Sequence, residues 1–122
     1  TKIFGGRMRV EKPWGYEIRW AMNDKYIGKL LRIEGGQKLS RQYHQQKDET
    51  IYVLEGELVL ELGPHKGIDK PVRIIMHEGS YKRIQPGTIH RFGAPSGGCT
   101  LIEVSTPEFD DVVRLEDMYG RV

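Results

Sequence analysis

One cysteine, Cys99, is all that the sequence offers for sulfur chemistry, so no internal disulfide can form. A chain without disulfides suits a reducing compartment, and no segment has the pattern of a signal peptide. Together these absences predict a cytoplasmic location. No apolar run approaches the ~20 residues that span a bilayer. Charge of one sign is also missing: the formal net charge is +2 over 122 residues, and no Lys/Arg run has the density of a nucleic-acid patch. The sequence therefore predicts neither a membrane nor a nucleic-acid partner. Lys82, Arg83 and Arg7 to Arg9 read as solvated surface, and Cys99, with no base flanking it, reads as a buried neutral thiol.

What remains is ordinary for a globular protein. Hydrophobic residues make up 38% and charged residues 30%, enough for a single domain over residues 1–122 with a real core. Thr1, standing where an initiator methionine would, points to a trimmed chain. Short β-rich runs alternate with Gly, Pro and Asp punctuation, the pattern of an all-β sandwich or barrel. The expected strands cover 16–21, 26–33, 39–44, 50–54, 57–62, 72–76, 80–84, 89–92 and 100–105. Leu58, Leu60 and Leu62 share one face, as a half-buried strand requires. Only the C-terminus reads as helical: Asp110 and Asp111 are placed to cap residues 112–119, and Gly120 to stop them. The aromatic segment Pro13-Trp14-Gly15-Tyr16-Glu17 reads as a packed lid or dimer contact, and it and the loop 63–70 are expected to shape a pocket mouth.

Four residues stand out. Gln42 and His44 lie two apart in Ser40-Arg41-Gln42-Tyr43-His44, so on a strand they leave the same face. Glu49 follows a polar turn and opens a second strand that can fold back beside the first. His90 opens a third after Pro86-Gly87. One amide oxygen, two imidazoles and one carboxylate make a first shell for a divalent metal. Gln45, Gln46, His65 and His77 read as exposed.

These residues carry a resemblance. The stretch from Gly36 to Gly56 resembles the first sequence motif of the cupins, and Gly79 to His90 resembles the second. The resemblance implies a jelly-roll (double-stranded β-helix) barrel. Most metal-binding cupins have histidine where this chain has Gln42; glutamine there is similar to the cupin domain of type II mannose-6-phosphate isomerases. Ala94 stands where the second motif often ends in asparagine, which is not usually a ligand.

Zinc is the metal expected first, with Mn, Fe, Ni and Cu as alternatives, since imidazole and carboxylate suit all five. With one anionic ligand the ion keeps net positive charge, so it can act as a Lewis acid. The resemblance implies a metal-dependent isomerase or epimerase acting on a sugar or sugar phosphate. A non-catalytic small-molecule-binding cupin and a metal-dependent dioxygenase are the alternatives. Glu103, a carboxylate within the apolar run Thr100-Leu101-Ile102-Glu103-Val104, is the candidate catalytic acid/base if it faces inward. Arg91 follows His90 as in the sugar-phosphate isomerases, but alternation turns its side chain away from that of His90. Small cupins commonly pair through barrel edges, so a homodimer is expected.

Overall fold

The structure is a computed structural model and describes residues 8–122. Among these residues the strands are β1 (Met8–Lys12), β2 (Gly15–Met22), β3 (Ile27–Ile33), β4 (Arg41–Tyr43), β5 (Glu49–Gly56), β6 (Leu58–Leu62), β7 (Val72–Met76), β8 (Tyr81–Ile84), β9 (His90–Gly93), β10 (Cys99–Ser105) and β11 (Val113–Glu116). They form two antiparallel sheets, one ordered β1-β2-β3-β10-β5-β8 and the other β11-β4-β9-β6-β7. The sheets face each other as a jelly roll. The nine strands expected from the sequence are all present, 72–76 with the expected ends and the others with shifted ones.

Between the sheets lies one apolar core. Ile33, Ile51, Val53 and Leu101 reach it from the first sheet, Leu58, Leu60 and Phe92 from the second, and all are essentially water-free. Alternation along each strand does the sorting. On β6, Leu58 and Leu60 are buried and Leu62 packs against them, while Val59 points out. Cys99 is buried in the same core, and burial pushes its thiol up to about 11. It is an inert, hydrophobic thiol.

Two expectations are corrected. The barrel is not closed, because each sheet ends on unpaired strands, β1 and β8 in one and β11 and β7 in the other. Within the second sheet β4 has three residues and meets β9 at a single Cα pair, Gln42↔His90. The second correction concerns the C-terminus, where no helix forms. Residues 113–116 are β11, paired antiparallel to β4 through Val113↔Tyr43 and Arg114↔Gln42. The helical reading rested on Asp110 and Asp111 as caps. Asp111 instead spends its carboxylate on backbone N–H groups of residues 45–47. Eight residues are marginal as a helix on their own, and the open edge of β4 offers the β-branched Val113 a ready partner in Tyr43.

Trp14 is buried in the core, and its carbonyl accepts from the Glu34 N–H at 2.9 Å. Gly15 makes this possible: it has φ +151°, and a Cβ there would fall 1.9 Å from the Arg32 carbonyl oxygen. Gly15→Ala must therefore push β2 off β3. We expect a loss of about 2 kcal/mol or more in urea unfolding. An unchanged midpoint and slope would show that the β2–β3 contact is looser than described.

Candidate metal centre

The polar residues of the interior gather at one end of the sandwich, on both sheets. His44 follows β4, and His90 opens β9 opposite Gln42. Glu49 opens β5 in the other sheet, so β5 does not fold back beside β4 as the sequence suggested. The carboxylate meets the two imidazoles across the interior. The Nε2 atoms of His44 and His90 lie 3.3 and 3.1 Å from Glu49 Oε1. The three residues offer ligand atoms within 4.8 Å of one another, and all three are buried.

The tautomers give this cluster its meaning. His90 Nδ1 faces the Thr88 carbonyl at 2.8 Å, and His44 Nδ1 faces the Asp111 carbonyl. A carbonyl can only accept, so each neutral ring carries its proton on Nδ1. Each Nε2 then turns a lone pair toward a carboxylate oxygen. Both Nε2 atoms and Glu49 Oε1 are buried without a hydrogen-bond partner. Three facing acceptors repel one another unless a cation sits among them. Two imidazoles and a carboxylate are the donor set of transition-metal sites, and carbonyl acceptors behind the rings are the usual outer support. The residues fit a divalent metal. Gln42 lines the same interior cavity, and its Oε1 accepts from the Ser40 hydroxyl at 3.1 Å.

Beside the cluster lies a second charged group that the sequence only half revealed. Glu103 points inward from β10 and is 5% exposed. Its backbone neighbour across the ladder is Ile51, two residues from Glu49 on the same face of β5. Lys47, also buried, sits between the carboxylates, with Nζ 3.4 Å from Glu103 and 3.7 Å from Glu49. Burial and then the charge of Glu49 push the Glu103 carboxyl up to about 8, against the pull of Lys47. Burial alone would also raise Glu49, but its close contacts with His44, His90 and Glu103 and then the Lys47 charge hold its carboxyl well below the usual range. Burial would lower Lys47, yet the two carboxylates keep it above its ordinary value. Lys47 was the residue missed. In sequence it stands in the polar turn after Gln45 and Gln46, and only the two buried acids, Glu49 and Glu103, account for its inward side chain.

A cavity of about 270 Å³ opens onto this group. Trp14 and Phe92 make apolar wall, while Gln42, His44, Lys47 and Glu103 line its polar end. Glu17 in the wall is buried beneath Lys12, Arg19 and Lys29 at 3.7, 3.0 and 3.3 Å. Burial works to raise its carboxyl, but Lys29, Arg19 and Lys12 hold it below the usual range. The loop 63–70 takes no part in the wall, contrary to expectation; the segment 109–114 closes that side instead. Arg91 points to the outer face, as alternation required, and donates to the Leu39 carbonyl at 2.9 Å. His65 and His77 are exposed, the first accepting the Ile89 N–H at 3.2 Å.

Asp111 holds the site from outside. Its carboxylate accepts the Gln45, Gln46 and Lys47 N–H groups at 3.0, 2.6 and 2.9 Å, and these bonds keep its carboxyl below the ordinary range. Its own carbonyl faces His44. One residue thus fixes both the loop between the ligands and a ligand's ring.

Comparison with known proteins agrees with this architecture. The Cupin domain family pattern matches residues 29–105, more than half of the chain. The chain belongs to the cupin family. It is 31% identical to the mannose-1-phosphate guanylyltransferase of Escherichia coli over 117 residues, covering 93% of this chain and 23% of that protein. The xanthan biosynthesis protein XanB of Xanthomonas campestris is 30% identical over 117 residues, covering 93% and 24%. The chain thus spans about a quarter of the length of these curated relatives. Among solved structures, the capsular polysaccharide assembling protein CapF of Staphylococcus aureus superposes with a TM-score of 0.79 at 17% identity, covering 91% of this chain and 34% of that one. Oxalate decarboxylase of Bacillus subtilis gives a TM-score of 0.74 at 18% identity, covering 91% and 30%. These two likenesses establish the shared fold.

The support by Asp111 can be measured. Asp111→Ala should weaken zinc binding about 10–100-fold in a chelator competition, whereas Asp111→Asn, still able to accept, should stay near the parent. Glu49→Ala should weaken it more than Gln42→Ala, since it removes the only anionic group of the set. If Glu49→Ala and His44→Ala both leave metal content unchanged, the cluster is not a metal site.

Proposed function

We propose that the chain is a metal-dependent isomerase or epimerase acting on an open-chain sugar or sugar phosphate, with Gln42, His44, Glu49 and His90 as the metal ligands and zinc as the first expected metal. The observation that carries the reading is the juxtaposition of three buried, partnerless acceptors with a carboxyl raised to about 8, in one cavity. A bound divalent ion would supply Lewis-acid polarisation of the sugar carbonyl. The protein must then move a proton between the adjacent carbons. Glu103 is suited to that task. Its proton is exchangeable near neutral pH, where a general acid/base works best. Lys47 keeps the carboxylate form from being expelled by Glu49, and it orients Glu103 through the 3.4 Å contact.

The walls supply orientation. Trp14 and Phe92 exclude water from one side. Lys12, Arg19 and Lys29 give the mouth an excess of positive charge over Glu17, which suits a phosphorylated ligand. The name of one relative, a mannose-1-phosphate guanylyltransferase, supports a sugar-phosphate ligand.

Deuterium exchange tests the proposal. Zinc-loaded protein with mannose 6-phosphate or fructose 6-phosphate in D2O should place deuterium at the carbon beside the carbonyl, read by NMR. Glu103→Gln should slow this at least about 100-fold while leaving bound zinc at parent level. No exchange with any hexose phosphate, or full exchange in Glu103→Gln, would sink it. Oxygen uptake by an iron-loaded sample would instead favour the dioxygenase reading.

Glu103 also sets a pH dependence of stability in the metal-free protein. Its folded-state value, about 8, lies above the ~4.3 of an unfolded Glu. Its contribution to stability is complete below that lower value and is lost as pH rises to about 8. Glu103→Gln, which mimics the protonated form, should therefore gain Tm relative to the parent between about pH 4.5 and 8, with no such gain below. Parallel Tm curves would show that the carboxyl is not buried as described.

A further inference from the structure

An arginine carries five N–H donors and never sheds its charge, so a half-buried one needs acceptors. Among the described residues every arginine but one has them. Arg19 holds Glu17, Arg91 holds Glu116 and Arg121 holds Asp117, and even the exposed Arg83 holds Asp48. Arg114 is the exception. It is half-buried and lines the cavity, yet it makes no ion pair or side-chain hydrogen bond to any described residue. Asp110, an exposed acid of the same wall, forms no ion pair with it.

Register puts this unspent guanidinium in the row of the site. Arg114 on β11 is the Cα partner of Gln42 on β4, and Gln42 is the partner of His90 on β9. Cross-strand partners share a face, so the row that carries His90 and Gln42 inward carries Arg114 inward too, while Leu115 beside it is exposed. Two strand spacings, ~10 Å, separate the Arg114 backbone from that of His90. The other cations of the wall are committed. Lys12, Arg19 and Lys29 converge on Glu17, and drawing one away would strip a buried carboxylate of a partner. Lys47 is held between Glu49 and Glu103. We infer that Arg114 is the anchor for the ligand's oxyanion group, a phosphate ester or a carboxylate, gripped by two parallel N–H···O bonds. The inference rests on the reading above for the carbonyl end of the ligand and adds the residue that holds its charged end. The cations around Glu17 draw the anion toward the mouth, and Arg114 alone has donors left to bind it. The rest of the ligand then lies along the row, toward Gln42 and His90.

Calorimetric titration with mannose 6-phosphate, glucuronate and mannose, on zinc-loaded and zinc-free protein, tests the assignment. Arg114→Gln should weaken binding of the two charged ligands about 10–100-fold, with the affinity for mannose, zinc content and Tm all at the parent level. Arg114→Lys, which keeps the charge and loses the fork, should fall between. Tighter binding of mannose 6-phosphate than of glucuronate would assign the anchor to phosphate, and the reverse order to carboxylate. A parent that binds neither charged ligand more tightly than mannose would overturn the inference. So would a larger loss in Lys12→Gln than in Arg114→Gln, or an affinity that falls on zinc removal but not in Arg114→Gln, which would put the anion on the ion. Titration reads affinity alone, so Arg114-dependent binding without deuterium exchange would remove the isomerase reading and leave the anchor standing.

Discussion

The interior of this protein is organised around a repulsion. Two imidazole nitrogens lie 3.3 and 3.1 Å from one carboxylate oxygen, each with a lone pair toward it. The arrangement persists because the rings are held from behind by carbonyls that dictate their tautomers, and because strands of both sheets are locked by an apolar core. Lys47 compensates the far side of Glu49 and, in the same step, the buried Glu103. Remove any of these supports and the cluster would spread or protonate. The fold thus spends stability to keep an unsatisfied site open at a fixed place, which is the expected signature of function.

Much of this was legible in the sequence. The two-residue spacing of Gln42 and His44, the Pro-Gly turn before His90 and the position of Glu49 after a polar turn encode local geometry, which period-2 alternation determines. The same rule turned Arg91 outward. What alternation cannot tell is which strand neighbours which. Glu49 looks like the start of a hairpin with β4, yet β5 lies in the opposite sheet, because that choice depends on long-range pairing with β10 and β8. The C-terminus failed for a related reason. Capping aspartates are a local signal, and here a tertiary demand for N–H acceptors near residues 45–47 outweighed it. Lys47 was hidden because a lysine in a polar turn is normally solvated; only the two buried acids explain its inward course.

The outer faces of the two sheets differ. In the second sheet, alternate positions carry a charged lattice that water tolerates. In the first, the middle row carries isoleucine, leucine and tyrosine between rows that include Arg32, Glu55 and Arg83, though the inner face already supplies the core. The proposed chemistry would lie between the sheets, away from this exposed apolar row. The strands β5 and β10 contribute to both, Glu49 and Glu103 pointing in while Tyr52 and Ile102 point out.

Asp111 has a consequence of its own. Its neighbours Asp110 and Val112 line the cavity, while its carbonyl steers the His44 ring. Whatever occupies the cavity would lean on the same short segment that aims the His44 ring, a proposed metal ligand. With an ion at the proposed site the two occupants would be thermodynamically linked, and by reciprocity each would alter the other's affinity by the same factor.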